Sequence, residues 1–339
     1  MNKTIQTLCR AAIFTSLALL AGCSEPETDP TLTKVSFNMG WLPQGSMAGV
    51  IVAIDKGFYN EVGLEIETAR GFGGIRTVNE IDQGMFDFGY GDPLAVLLNL
   101  NNGGNTRMVG AINDRWPAGL CYITERNQID SPADLAGLKV GGGQSSPMQV
   151  IVPAWLEING VDKEEVQMMQ LDPSIVVGSL IEGNIDAGEC WLGNSLAIFQ
   201  KRAKDADLTL DYIEYSEFNL DIYGNGIVTS NRLAAEQPQI VRDFLSATYR
   251  GYDWVRDHQE EAAAIVVKNY PVLDSAITLQ QIEEISDLIS GPAGLGWMQP
   301  EKVTNTIEFF STAYGLEENI TADQIFSNEF LSASSASGE

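Results

Sequence analysis

The sequence predicts an α/β protein made of two doubly wound lobes, and three observations predict it. Apolar runs of strand and helix period alternate from Lys34 to Asn113. The same alternation resumes between Ala118 and Tyr215. Two segments also echo each other, Ile81-Asp82-Gln83-Gly84-Met85-Phe86-Asp87-Phe88-Gly89 and Leu180-Ile181-Glu182-Gly183-Asn184-Ile185-Asp186-Ala187-Gly188. Both read helix end, glycine, apolar residue, aspartate, strand, glycine. Two lobes that present their strand ends to each other enclose a cleft, and loops at the carboxyl ends of strands are where open α/β sheets hold ligands.

At 339 residues and 44% hydrophobic content, the chain is long enough for two globular units, each with its own core. Lys3 and Arg10, the apolar run 11–20 and Leu20-Ala21-Gly22-Cys23 read as a signal peptide over 1–22. The run is too short to span a bilayer, which takes about 20 residues. Residues 23–33 are polar, carry Pro26 and Pro30, and read as a flexible tether. The ending resembles the lipobox of bacterial lipoproteins, which implies lipidation of Cys23, a periplasmic location and anchorage to a bacterial membrane. Ser24 leans toward outer-leaflet sorting in a Gram-negative cell, and an ordinary cleaved signal is the alternative.

Acidic residues number 46 against 20 basic ones, for a net charge of −26. Such a field repels nucleic acid and anionic lipid, and solubility accounts for it better than a cationic partner does. Of the 4 cysteines, Cys9 leaves with the leader and Cys23 goes to lipid. Cys121 and Cys190 remain in an oxidising compartment, where a bridge is permitted but not required; two buried thiols are the expectation.

The elements follow in order. Strand 35–39 runs into Gly40-Trp41-Leu42-Pro43-Gln44-Gly45, and Ser46 is placed to N-cap a helix that ends at Gly57. Strand 64–67, the loop Gly71-Phe72-Gly73-Gly74 and a helix from Thr77 to Gly84 come next. The alternate aromatics of 86–90 make a half-buried strand, after which Asp92 caps a helix that opens on Pro93 and closes at Gly103. In the second lobe, 131–134 reads as a capping box and 138–141 as a strand. Ser146-Pro147 starts a helix that Gly160 ends, and Asp172-Pro173 starts one that Gly183 ends. After the crossing Tyr223-Gly224-Asn225-Gly226, amphipathic helices are expected over 238–256, 260–268, 279–289, 300–314 and 322–331. The expected lobes are 34–117 with 222–331, and 118–221, with a frayed tail at 332–339.

Three stretches resemble the substrate-binding proteins of ABC importers, in the branch serving nitrate, alkanesulfonates, taurine and thiamine-pyrimidine precursors. They are Gly40-Trp41-Leu42-Pro43-Gln44 with Lys56-Gly57-Phe58-Tyr59 and Glu61-Val62-Gly63-Leu64, then Gly84-Met85-Phe86-Asp87-Phe88-Gly89, then Ile129-Asp130-Ser131-Pro132-Ala133-Asp134-Leu135-Ala136-Gly137-Leu138-Lys139-Val140-Gly141. The resemblance implies a type II periplasmic-binding-protein fold: two lobes joined by two crossing segments, a small molecule in the cleft, and closure on binding. It also implies delivery to an ABC permease in the inner membrane, by a protein expected to be a monomer without cofactor or metal.

Loops after strands supply the candidate ligand contacts Trp41, Gln44, Tyr90, Asp92, Trp116, Ser145, Ser146, Trp191, Asn194 and Tyr223, with Gly73, Asp114 and Glu189 beside them. Trp41 and Trp191 are expected to close on a flat ring from opposite sides, and Trp116 and Tyr223 to lie at the hinges; for each, core packing is the competing role. Trp155, Trp254 and Trp297 are expected in the core. Gly141-Gly142-Gly143-Gln144-Ser145-Ser146 can hold an anion on backbone amides or be a plain turn; it lacks the Lys-Ser/Thr ending of a Walker loop. Arg115 is the one obvious cation among these loops, against Asp92, Asp114 and Glu189. A neutral or amino-bearing heterocycle such as a pyrimidine precursor of thiamine fits better than sulfonate, taurine or nitrate. The pyrimidine-synthesis enzymes that resemble this family use a cysteine-rich motif with a lysine and a histidine. This chain has His258 alone and no cysteine cluster, so no enzyme activity is expected; a ligand sensor on the same fold stays open.

Overall fold

The two segments of alternating strands and helices fold onto two separate sheets. The computed structural model describes residues 32–144, 146–289, 294–316 and 320–331. The expected leader, Cys23, nearly all of the tether, Ser145 and the 332–339 tail lie outside the described residues.

In chain order the first part runs β1 (Thr33–Asn38), α1 (Ala48–Asp55), α2 (Phe58–Glu61), β2 (Leu64–Ala69), α3 (Gly74–Asp82), β3 (Phe88–Gly91), α4 (Pro93–Asn101) and β4 (Thr106–Ala111). The second part runs β5 (Ala118–Ile123), β6 (Lys139–Gly143), α5 (Met148–Ile158), β7 (Gln167–Leu171), α6 (Val176–Glu182), β8 (Ala187–Trp191), α7 (Ser195–Asp205) and β9 (Leu210–Glu214). The chain then returns through β10 (Gly226–Ser230) to α8 (Asn231–Glu236), α9 (Pro238–Asp257), α10 (Gln259–Asn269), α11 (Ser275–Ile289), α12 (Pro300–Tyr314) and α13 (Ala322–Ile325).

Each sheet has five strands, in the orders β2-β1-β3-β10-β4 and β7-β6-β8-β5-β9. In the first, β1 is parallel to β2 and β3, while β10 runs antiparallel to β3 and β4. In the second, β6 is parallel to β7 and β8, while β5 runs antiparallel to β8 and β9. The parallel unit expected over 34–113 is therefore split, because the strand that returns from the second sheet slots between β3 and β4. A strand arriving from the opposite lobe enters head-on, so it can pair only antiparallel.

The two crossings lie side by side. Asn113 N–H donates to the Asn225 carbonyl at 2.8 Å, and Gly224 N–H donates to the Asn113 carbonyl at 3.1 Å. The returning helices cover the first sheet: Phe244 of α9 stacks on Phe88 of β3 with centroids 4.0 Å apart, and Phe37 and Tyr59 flank it.

Several local expectations change. Residues 131–134 make no capping box: Ser131 precedes a 3-10 turn, Pro132–Leu135, and its hydroxyl donates to Asp134 instead of capping. Ser46 does not cap α1; it sits in a 3-10 turn, Gly45–Met47, and its hydroxyl accepts from Gln44 Nε2. The last helix ends at Ile325, because Phe326 turns extended and bridges Met108 of β4. Cys121 and Cys190 form a disulfide rather than staying as two thiols. They lie on the paired strands β5 and β8 with Cα atoms 5.9 Å apart, within reach of a bridge, and that register is invisible in one sequence.

Candidate functional site

The echo seen in the sequence is a structural device. In both lobes a helix ends at a left-handed glycine, Gly84 (φ 75°) and Gly183 (φ 79°). The aspartate that follows then clamps the parallel neighbour of the strand it leads into, β1 in the first sheet and β6 in the second. Asp87 accepts from the Ser36 backbone N–H at 2.8 Å and the Ser36 hydroxyl at 2.7 Å, and Asp186 accepts from the Lys139 N–H at 2.9 Å. Each clamp fixes where the next strand ends, so Tyr90 and Asp92 on β3 and its exit correspond to Glu189 and Trp191 on β8. Asp87→Ala leaves the Ser36 N–H without its partner, and should cost about 1–3 kcal/mol of unfolding free energy, measured by urea titration.

The β8 exit carries the densest chemistry. Trp191 is half-buried, with its ring centroid 5.5 Å from that of Trp116, and Trp116 in turn meets Phe310 of α12 edge-on at 5.4 Å. Glu189 is 7% exposed and accepts from the Ser146 hydroxyl at 2.5 Å. Burial pushes its carboxyl up to about 7, against the opposing pull of Ser146 and of the Trp191 side chain. At the β3 exit, Asp92 caps α4 through the Ala95 N–H at 2.8 Å, and burial pushes its carboxyl up to about 6. Both charges reach the phenol of Tyr314, whose pKa burial has already raised. The Trp116 indole N–H and the Tyr215 hydroxyl are buried without a hydrogen-bond partner, and Tyr215 lies within range of the Glu189 charge. The arrangement therefore offers two carboxyl groups, one from each sheet, that share the Tyr314 phenol as an electrostatic neighbour, with the Trp116–Trp191 pair beside Glu189.

Two cations on neighbouring elements, Arg115 and Lys302, are paired with carboxylates. Arg115 Nε donates to Glu214 at 3.0 Å, and Lys302 pairs with Asp221 at 2.8 Å. Ser146 spends its hydroxyl on Glu189, so the amino end of α5 already faces a carboxyl group.

The other expected contacts divide. Trp41 is half-buried in a loop pinned by Gly71 N–H to the Trp41 carbonyl (2.9 Å) and Gly73 N–H to the Gly40 carbonyl (2.8 Å). Gly40 (φ +74°) is required there, since a Cβ would lie 2.4 Å from the Tyr90 carbonyl oxygen. The aromatic neighbour of Trp191 is Trp116. Gln44 is buried against Ser46, and the Tyr90 hydroxyl donates to Asn113 Oδ1 at 2.7 Å. Asn194 is half-buried and contributes its backbone carbonyl to Gln281 Nε2. Tyr223 lies by the crossings: it is buried against Phe326, its hydroxyl accepts from the Gln299 N–H at 2.7 Å, and it lines a cavity there. Trp155 is core, with its indole N–H shared between the Tyr215 and Phe218 carbonyls. Trp254 is half-buried between Lys56 and His258. Trp297, expected in the core, lines a cavity of about 210 Å³ by the crossings with Asp114, Asp221 and Lys302. His258 is exposed, stacked on Trp254 and hydrogen-bonded to its carbonyl. Among the described residues no group of His, Cys, Asp and Glu side chains could hold a metal ion.

Sequence reasoning missed Tyr314, Phe310 and Tyr215. The first two are an i, i+4 aromatic pair on α12, a signal that reads equally well as plain core.

Two sheets of matching strand order, linked by two adjacent crossings, with chemistry at facing strand ends, define a periplasmic-binding-protein fold. The chain belongs to the NMT1/THI5-like family, which it matches over residues 44–262, and with it to the branch of ABC substrate-binding proteins that the sequence resembles. It is 23% identical over 334 residues to the formylaminopyrimidine-binding protein of Halalkalibacterium halodurans, covering 94% of this chain and 97% of that one. It is 24% identical over 337 residues to the riboflavin-binding protein RibY of Chloroflexus aurantiacus, covering 96% and 94%. The crystal structure of the aliphatic sulphonate binding protein SsuA from Escherichia coli superposes with a TM-score of 0.70 at 14% identity, covering 87% of this chain and 91% of that one.

Proposed function

We propose that this protein is the ligand-binding component of an ABC importer and captures an amino-bearing aromatic heterocycle, of the class of pyrimidine precursors of thiamine. The observation that carries the reading is the pair of buried carboxyl groups, Asp92 and Glu189, one at each sheet's strand end and both in range of Tyr314, with the Trp116–Trp191 wall beside Glu189. Carboxyl acceptors suit amino and ring N–H donors, and the unpartnered Trp116 indole N–H suits a ring nitrogen or carbonyl. A flat ring against tryptophan gains about 0.5–1.5 kcal/mol beyond area burial. The relatives named for formylaminopyrimidine and riboflavin support a flat nitrogen heterocycle. A sulfonate would need cations that Glu214 and Asp221 already hold.

In this reading Trp41, Gln44, Tyr90, Asn194, Tyr223, Ser145 and Ser146 line or support the same cleft, between lobes spanning 34–117 with 222–331, and 118–221. Lipid on Cys23 holds the protein, as a monomer, at the periplasmic face of a membrane. The loaded form docks on the permease.

Titration with formylaminopyrimidine, riboflavin, taurine and an alkanesulfonate, followed by tryptophan fluorescence, tests the ligand class. A saturable change with a heterocycle and none with taurine is expected; the reverse pattern overturns the class. Trp191→Ala should weaken heterocycle binding about tenfold, the equivalent of the upper stacking value.

A further inference from the structure

Helix α11 touches both sides of the cleft at once. Gln281 is 4% exposed, and its amide spans the lobes. Oε1 accepts from the Gly45 N–H at 2.9 Å, in the loop after β1, and Nε2 donates to the Asn194 carbonyl at 2.6 Å, in the loop after β8. On the same face Glu284 Oε2 accepts from the Gly193 N–H at 2.7 Å, and Gln280 donates to Gln200 of α7. The two loops also meet directly, Ser46 N–H donating to the Gly193 carbonyl at 3.2 Å. At its far end, the helix accepts from the Asp114 N–H at 2.9 Å through the Leu288 carbonyl, at the first crossing. Residues 281, 284, 285 and 288 fall on one stripe of the helix, so a single face serves both lobes.

Both loops approach this face on glycine. At Gly193 (φ +69°) a Cβ would lie 2.0 Å from Ile285 Cγ2, and at Gly45 it would lie 2.3 Å from Gln281 Cβ. Such a fit exists only with the lobes together, since separating Gly193 and Asn194 from Gly45 and Ser46 breaks every bond through Gln281 or Glu284 on one side.

We infer that α11 is a clasp: Gln281 and Glu284 are positioning residues that hold the two cleft loops together and set the balance between closed and open lobes. Affinity for any ligand that needs the closed form scales with the closed fraction, so the clasp sets affinity without touching the ligand. The inference rests on the binding-protein reading for what the cleft captures, but closure itself is measurable in ligand-free protein.

The test is pulsed electron paramagnetic resonance on the full, ligand-free chain, with genetically encoded spin labels replacing Ile75 and Ile175, each 49% exposed. Wild type should show a population at the separation of this structure. Gln281→Leu and Glu284→Leu should each lower the closed-to-open ratio about tenfold, the equivalent of one or two net hydrogen bonds. Glu284→Gln keeps an acceptor oxygen for the Gly193 N–H and gives up only the longer bond from Gln280 Nε2 (3.2 Å), so it should shift the ratio less than Glu284→Leu, a partial rescue that loss of packing would not produce. Gln200→Leu cuts only the bond to Gln280, and shifts the ratio in the same direction should Gln281→Leu not fold. Equal distance distributions in wild type and in the folded leucine variants overturn the clasp. Failure to bind a pyrimidine changes the ligand class and leaves this measurement standing.

Discussion

Glu189→Gln is expected to weaken binding of an amino heterocycle about a hundredfold while leaving the protein folded. Glutamine keeps the shape of glutamate but can turn an NH₂ toward the ligand's own donor, so the bond is lost and a buried donor is left unpaired. Hydrogen bonds to charged groups are worth about 1.5–3 kcal/mol, which at its upper end is that hundredfold. The pH dependence is the sharper check. Burial holds Glu189 near 7 and Asp92 near 6 in the unliganded site. A ligand N–H donor favours the ionised carboxylate, so binding expels a proton, and affinity should tighten as pH rises from about 5.5 to 7 and level off above about 7.5. In Glu189→Gln the part of the slope between 6 and 7 disappears, and the remainder belongs to Asp92. The same groups act on stability with the opposite sign. Because their folded-state values are raised, their contribution is present below the ordinary carboxyl range and is lost as pH climbs through 6 and 7. Isothermal titration calorimetry in two buffers of different ionisation heat reads the proton release directly; a pH-flat wild type would remove Glu189 from the contact.

Much of this arrangement was legible because it is written in local residues. The left-handed glycines Gly84 and Gly183, with the aspartates behind them, announced two copies of one strand-end device, and the residues just past them, Tyr90, Asp92, Glu189 and Trp191, are where the side-chain chemistry collects. The misses share a different cause, since each depends on a partner far along the chain. Ser46 has the composition of a cap, but the backbone enters α1 through a 3-10 turn held at Gly45 by Gln281, from a helix read only as amphipathic. Phe310 and Tyr314 have core-like spacing, and only the packing of α12 against Trp116 and near Asp92 and Glu189 distinguishes them. The insertion of β10 between β3 and β4 is a pairing of strands, which a hydrophobic pattern does not encode.

Removing the disulfide should be the most costly change to stability and should reach the site as well. Cys121 and Cys190 close a loop of sequence separation 69, which holds β6, β7 and the helices between them. By loop-closure entropy a bridge of that span is worth about 4 kcal/mol, between the values for shorter and longer loops. Cys121→Ala with Cys190→Ala should therefore lower Tm by roughly 5–10 °C for a chain of this size, read by calorimetry under oxidising conditions. Cys190 also stands between Glu189 and Trp191 on β8, with its partner on the neighbouring strand β5. Without the bridge, β8 keeps its ladder to β5 and β6 but loses the covalent tie at the residue between the two candidate contacts. Ligand affinity in the double alanine variant should fall about three- to tenfold even well below its melting temperature, because a looser strand end spends part of its time with Glu189 and Trp191 out of register with the ligand. Reductant should do the same to the wild type and nothing to the variant. A double alanine variant that melts with the wild type would mean that the ladder and core of this sheet hold β8 unaided.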